Sequence, residues 1–289
     1  MLGRMLTRLI DAQGAWARPL GDFNHRWLAA LFRPLGPVKD LLHGRWLGHP
    51  LHAAVTDIPI GILALVILLD VINQPVAADV ALLTGILFMV LSAVSGAADY
   101  VDTDGAARVR ATVHATVMVV TLVVYLLSLL IRAGSPADRT LPVVLSIIGF
   151  LLITVGAYVG GDVAYVLGNM VNRHAFRGSG QKWIKLELGD LGDPLQLPEA
   201  TPVKAKLGIN NLLLVRQGET IHALHEQCAH AGGPLSEGRL VDGCIECPWH
   251  GSRFDLATGY ARRAPTVYDQ PRYEIRRGEA GWEGRRALG

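Results

Sequence analysis

The chain has 289 residues, 51% hydrophobic and 18% charged, with a formal net charge of +2 and a mean hydropathy of +0.32. So little charge with positive hydropathy excludes disorder, collagen and long coiled coil, and so mild a charge balance predicts no nucleic-acid partner. Only three cysteines occur, Cys228, Cys244 and Cys247, all in one short stretch, which argues against a disulfide-stapled secreted scaffold.

Residues 1–47 begin MLGRMLTRLIDAQGAWARPLGDFNHRWLAALFRPLG. Arg, Trp, Phe and Leu interleave without a continuous apolar core, so no signal peptide is expected. The pattern predicts one or two amphipathic helices lying in the lipid interface. A helix packed on the soluble domain is the alternative.

Residues 48–172 form a second region. Between 51 and 172 the chain carries four basic and eight acidic side chains, with no Lys and no Glu. Residues 80–98 and 141–161 hold no charge, and 111–131 hold only His114. Each run is about as long as a bilayer core is thick. The run 51–72 is weaker because Asp57 and Asp70 interrupt it. Together the four predict an all-α four-helix transmembrane bundle. Basic residues cluster in the N-terminal segment, at Arg108 and Arg110, and at Arg173, Arg177, Lys182 and Lys185. The positive-inside rule then puts both termini on the cytoplasmic side of a bacterial inner membrane.

From Gln181 the character changes. KWIKLEL, PVKAKL, NNLLLVRQ and TIHALHEQ read as short strands, followed by GCIECPWH, SRFDLATG and PRYEIRR. An all-β domain over 181–286 is expected.

Within it, Cys228-Ala229-His230 is followed by Cys247-Pro248-Trp249-His250. Two thiolates and two imidazoles make two ligand pairs, each on a Gly- and Pro-rich loop. Glycine lets backbone N–H groups approach inorganic sulfide. A structural zinc could use the same four donors but prefers a C-x₂₋₄-C spacing. The stretches EQCAHAGGPLSEGRL and CPWHGSRFDLATG closely resemble the Rieske ferredoxin pattern. The resemblance implies a [2Fe–2S] cluster, with Cys228 and Cys247 on one iron and His230 and His250 on the other, the histidines near the surface. It therefore implies a multidomain chain, a four-helix bundle followed by an all-β Rieske domain.

Rieske proteins of quinol-oxidising complexes carry two further cysteines that bridge the cluster loops. Gly233 and Trp249 stand at those positions, and Cys244 is displaced into a strand. The likeness is thus to the ferredoxin and oxygenase branch, with an expected potential on the order of −150 mV. About forty residues follow His250, too few for a mononuclear iron domain, so no terminal oxygenase is expected. No flavin or nicotinamide fingerprint is present either.

The segments GHPLHAAVTDIPIGILALVILLD and RATVHATVMVVTLVVYLLSLLIR resemble an uncharacterised bacterial family of four-helix membrane domains, over about 48–170. His52 and His114 should lie at similar depth near the cytoplasmic face, with Asp99 and Asp102 in the same layer. His49, His52, Asp57 and His114 make a candidate second redox or polar site. Two histidines on facing helices could ligate a haem b close under the cluster, or form a metal or quinone site, or a structural polar cluster. His25, His43, His174, His222 and His225 are expected at the surface, Asp70 and Asp162 solvated, and Tyr125 and Trp46 at the lipid interface.

The sequence thus predicts a membrane-anchored protein carrying single electrons between a redox partner (a reductase, an oxygenase or the quinone pool) and a membrane or soluble acceptor. A quinone- or haem-linked membrane oxidoreductase and a redox-sensing membrane protein are the alternatives.

Overall fold

The computed structural model describes residues 2–134, 138–175, 182–189, 192–279 and 281–287. Arg177 and Gln181, used above for orientation and for a domain boundary, lie outside the described residues. The chain divides into two units, one of residues 1–42 with 50–169 and one of residues 43–49 with 170–289.

The first unit is helical. Three helices open the chain, α1 (Leu2–Asp11), α2 (Gly14–Phe32) and α3 (Gly36–His43). A broken helix follows as α4 (Leu51–Val55) and α5 (Asp57–Val71), then α6 (Pro75–Val101), α7 (Gly105–Gly134) and α8 (Thr140–Gly161). A π-helical turn, Asp162–Val166, ends α8. Among the described residues four spans, Leu51–Val71, Pro75–Val101, Gly105–Gly134 and Thr140–Val166, are long and apolar enough to cross a membrane. Large apolar side chains such as Val76, Leu130 and Leu151 stay exposed on them. The inward stripe of Leu63, Val66, Leu82, Ile86, Met89, Tyr125 and Ile153 forms the core. Of the N-terminal helices, α2 packs on this bundle: the Tyr100 hydroxyl meets the Thr112 hydroxyl at 2.6 Å and donates to the Gly21 carbonyl.

Several sequence expectations change here. Asp70 is not solvated: its side chain is 1% exposed and ion-paired with Arg132 and Arg139. Asp162 is likewise buried, against Arg110. A carboxylate in this setting needs a guanidinium partner, and the apolar runs conceal that pairing because the partners lie one or two helices away. Tyr125 does not face the interface. It is fully buried, its ring seated on Gly149 where a Cβ would stand 2.7 Å away. His43, His174 and His225 are buried rather than surface residues.

The second unit is all-β. Six strands close into an antiparallel barrel, in the order β1 (Ile184–Glu187), β10 (Gly281–Arg286), β9 (Arg272–Gly278), β4 (Thr220–His225), β3 (Asn210–Gln217) and β2 (Val203–Leu207). Closure removes the free sheet edges. A smaller sheet, β5 (Arg239–Val241), β6 (Cys244–Glu246), β7 (Arg253–Asp255) and β8 (Ala261–Arg263), is inserted between β4 and β9. Leu213, Val215 and Leu224 of the barrel share one core with Cys228, Cys247, Ile245 and Phe254 of the insertion. That shared core anchors both ligand-bearing loops.

Candidate metal centre

The loops after β4 and β6 repeat one backbone solution. In the first, the Gly232 N–H donates to the Cys228 carbonyl at 2.9 Å, and the Cys228 N–H to the Gly233 carbonyl at 2.9 Å. In the second, the Gly251 N–H donates to the Cys247 carbonyl at 3.1 Å, and the Cys247 N–H to the Ser252 carbonyl at 2.8 Å. Gly232 and Gly251 take φ of +86° and +77°, a turn that a side chain would strain. Backbone amides of the same loop lower the pKa of each cysteine, those of His230 and Ala231 for Cys228 and of Trp249 and His250 for Cys247.

The two thiols act on one another, and each shifts the other's pKa. That interaction, with burial, pushes Cys228 well above the ordinary thiol value. The same interaction lowers Cys247 to about 7 against its burial, helped by the Trp249 and His250 amides. The His230 and His250 rings meet edge-on with centroids 4.9 Å apart. All four predicted ligand side chains thus gather as one pair of sulfurs and one pair of imidazoles. His230 is 4% exposed, whereas His250 is half-buried. The expectation that both rings lie near the surface is therefore met by His250 alone. Gly233 is a further close approach: a Cβ there would stand 2.9 Å from the Cys247 sulfur and 3.0 Å from the Trp249 ring. All three cysteines are free, and Cys244 lies buried in β6.

Sequence reasoning missed what holds the first loop. The buried Gln270 amide accepts from the Ala229 N–H at 2.9 Å and donates to the His225 and Gln227 carbonyls at 2.6 and 2.7 Å. His174 donates from Nε2 to the same Gln227 carbonyl at 2.8 Å, and its ring lies 4.5 Å from that of His225. The second loop leans on Glu246. Burial would raise that carboxyl, but hydrogen bonds from Arg253 at 2.6 Å and Arg239 at 2.8 Å outweigh it and hold the pKa below its ordinary value. A lone Gln far along the chain carries no periodic signal, so only the fold reveals its role.

Of the four residues of the candidate second site, the structure pairs two. The His52 and His114 rings stand 6.2 Å apart. His49 is exposed and groups with the second unit, and Asp57 is exposed in the first turn of α5.

Residues 189–274 match the family described as Rieske [2Fe-2S] domain. The anthranilate 1,2-dioxygenase ferredoxin subunit of Burkholderia cepacia is 35% identical over 86 residues, which is 30% of this chain and 80% of that protein. The ferredoxin component of the naphthalene 1,2-dioxygenase/salicylate 5-hydroxylase systems of a Ralstonia species is 31% identical over 33% of this chain and 88% of its own length. Among solved structures, the ferredoxin of carbazole 1,9a-dioxygenase from Nocardioides aromaticivorans IC177 is 28% identical over 32% of this chain and 90% of its own, with a TM-score of 0.29.

Proposed function

The chain belongs to the Rieske [2Fe–2S] family, and from that premise we propose that it is a membrane-anchored carrier of single electrons, its cluster held by Cys228 and Cys247 on one iron and His230 and His250 on the other. The observation that carries this reading is the doubled loop: two Cys-anchored turns of matching hydrogen bonds bring a sulfur pair and an imidazole pair together. The residues fit the group. Thiolate is the form that binds iron, and the N–H donors that lower Cys247 are donors a sulfur-rich cluster uses. The absent Cβ of Gly233 keeps the space beside the Cys247 sulfur open.

The cluster supplies a one-electron couple. The protein's part is to fix its ligands, surround its sulfurs with N–H dipoles and leave one edge open to a partner. The half-buried His250, beside the Trp249 ring at 6.4 Å, is that edge, and Trp249 is 54% exposed. The partner is a reductase, an oxygenase or the membrane quinone pool, and the likeness to ferredoxin components of dioxygenase systems supports the first two.

The four apolar spans are the anchor. Four spans among the described residues return the segments before and after them to one side, and the distribution of Arg and Lys favours the cytoplasmic one. Protease added to intact cells should spare the β domain, and cleavage without lysis would reverse this orientation.

The ligand assignment is tested by electron paramagnetic resonance of the reduced full-length protein. Cys228→Ser and Cys247→Ser should each abolish the Rieske signal, while Cys244→Ser should keep it. A signal that survives at Cys228 or Cys247 would overturn the assignment.

A further inference from the structure

The helical unit is built from two copies of one hairpin. His114 follows His52 by 62 positions, in His-Ala-Thr-Val and His-Ala-Ala-Val, and Tyr125 follows Leu63 by the same interval. On the second helix of each hairpin, Gly149 follows Gly85 by 64 positions, Gly156 follows Ser92, and Gly160 follows Gly96. The contacts repeat with the residues. Gly85 lies against Leu63, and Gly149 against Tyr125. A Cβ on Gly96 would stand 2.8 Å from the His52 ring, and one on Gly160 would stand 3.0 Å from the His114 ring. His52 Nδ1 lies 2.8 Å from the Ser92 carbonyl oxygen, and His114 Nδ1 lies 2.8 Å from the Gly156 carbonyl oxygen.

This arrangement settles the chemistry of both rings. A carbonyl oxygen can only accept, so each Nδ1 carries the proton and donates it. In the neutral imidazole the lone pair is then on Nε2, the nitrogen free to bind a metal, and the Nδ1–H bond to a carbonyl is the support that orients metal-bound histidines. Neither Nε2 makes a hydrogen bond among the described residues. The rings stand 6.2 Å apart by their centroids, with planes at 81°. They are too far apart for a hydrogen bond to each other, yet spaced for one atom between them. Iron held about 2 Å from each of two opposed imidazole nitrogens sets the centroids about 6 Å apart, with the ring planes free to turn about the shared axis.

Among the described residues, no third His, Cys, Asp or Glu side chain joins His52 and His114 in a group that could hold a bare metal ion. A bare ion such as zinc needs three or four protein ligands, whereas a haem brings four nitrogens of its own and asks only for two axial ones. We propose that His52 and His114 are the two axial ligands of a haem b held between the repeated hairpins of the helical unit. The two halves present equivalent donors to opposite faces of a flat macrocycle, with Gly96 and Gly160 letting each ligand ring lie close against its supporting helix. Both axial positions are filled, so the iron is low-spin and closed to added ligands.

The inference stands apart from the cluster assignment, because the two centres have separate signals. Full-length protein is purified in detergent after expression with added haem precursor, and its haem content, reduced-state spectrum and paramagnetic resonance are recorded beside the Rieske signal. The expected result is about one haem per chain, low-spin, with no carbon monoxide binding. His52→Ala and His114→Ala should each lower the low-spin signal at least tenfold, by loss of haem or by opening a site that binds carbon monoxide, with the Rieske signal unchanged. His52→Met, which restores an axial donor of another kind, should keep six-coordinate haem with a shifted spectrum. Wild-type protein with a full Rieske signal, no haem and no uptake of added haemin would overturn the proposal. So would a low-spin haem that survives in either Ala variant.

Discussion

Replacing Gln270 by Leu removes a side chain whose three hydrogen bonds are all to backbone, at the end of β4 and in the first ligand loop. The Ala229 N–H, on a fully buried residue, loses its acceptor, and the His225 carbonyl loses the donor at 2.6 Å. The Gln227 carbonyl keeps His174. A buried donor left unpaired costs about 1–3 kcal/mol, and a buried carbonyl costs somewhat less, so the loop should lose roughly 2–4 kcal/mol. For a domain of this size that corresponds to a fall in midpoint of roughly 10 °C or more. The assay is loss of the visible circular dichroism of the cluster on heating the full-length protein, which follows the loop itself. Gln270→Glu should be no better near neutral pH. It keeps the acceptor for Ala229 but turns its second oxygen towards two carbonyl oxygens. A Gln270→Leu midpoint within about 2 °C of wild type would refute the clamp.

Gly259 sits at φ +78°, and a Cβ there would collide with the Gln270 carbonyl oxygen, so Gly259→Ala should cost at least about 1–2 kcal/mol from the backbone alone. The same thermal assay checks it, and an unchanged midpoint would contradict it. Arg132→Met leaves Asp70 buried without its closest partner, and about 3–5 kcal/mol of stability should go; Asp70→Asn added to it should recover part, as read by unfolding in detergent. Burial holds His222 below the ordinary histidine value, against the pull of Asp255 and the Leu256 backbone. The folded state then binds fewer protons there, so this contribution is complete above about pH 6.5 and is lost as the pH falls below it. His222→Gln should flatten the decline of the midpoint between about pH 6.5 and 5, and an unchanged slope would refute the account. Redox titration should give a potential near the low end of the Rieske range, and a value above about +200 mV would contradict a centre whose loops carry no disulfide.

What was legible in the sequence follows from periodicity and from rare residue types. The apolar runs are long enough to announce their helices, and Cys228, His230, Cys247 and His250 stand out because such donors are scarce and closely spaced. Burial of single polar residues was not legible. His174 and His225 are buried because each other's ring and the Gln227 carbonyl receive them, which no local pattern encodes. Asp70 is buried because Arg132, on another helix, neutralises it. The hairpin repeat is written in the sequence as His-Ala-x-Val recurring after 62 residues, but Asp57 and Pro59 in the first copy disguise its likeness to the second.

The central claim is that two histidines and two cysteines of these loops hold a two-iron cluster. Pulsed paramagnetic resonance of the chemically reduced full-length protein tests it directly, because imidazole nitrogens bound to the reduced iron couple to its spin. The account predicts couplings from two nitrogens, one of which disappears in His250→Cys. A reduced cluster with no nitrogen coupling, or two couplings that persist in His250→Cys, would contradict it.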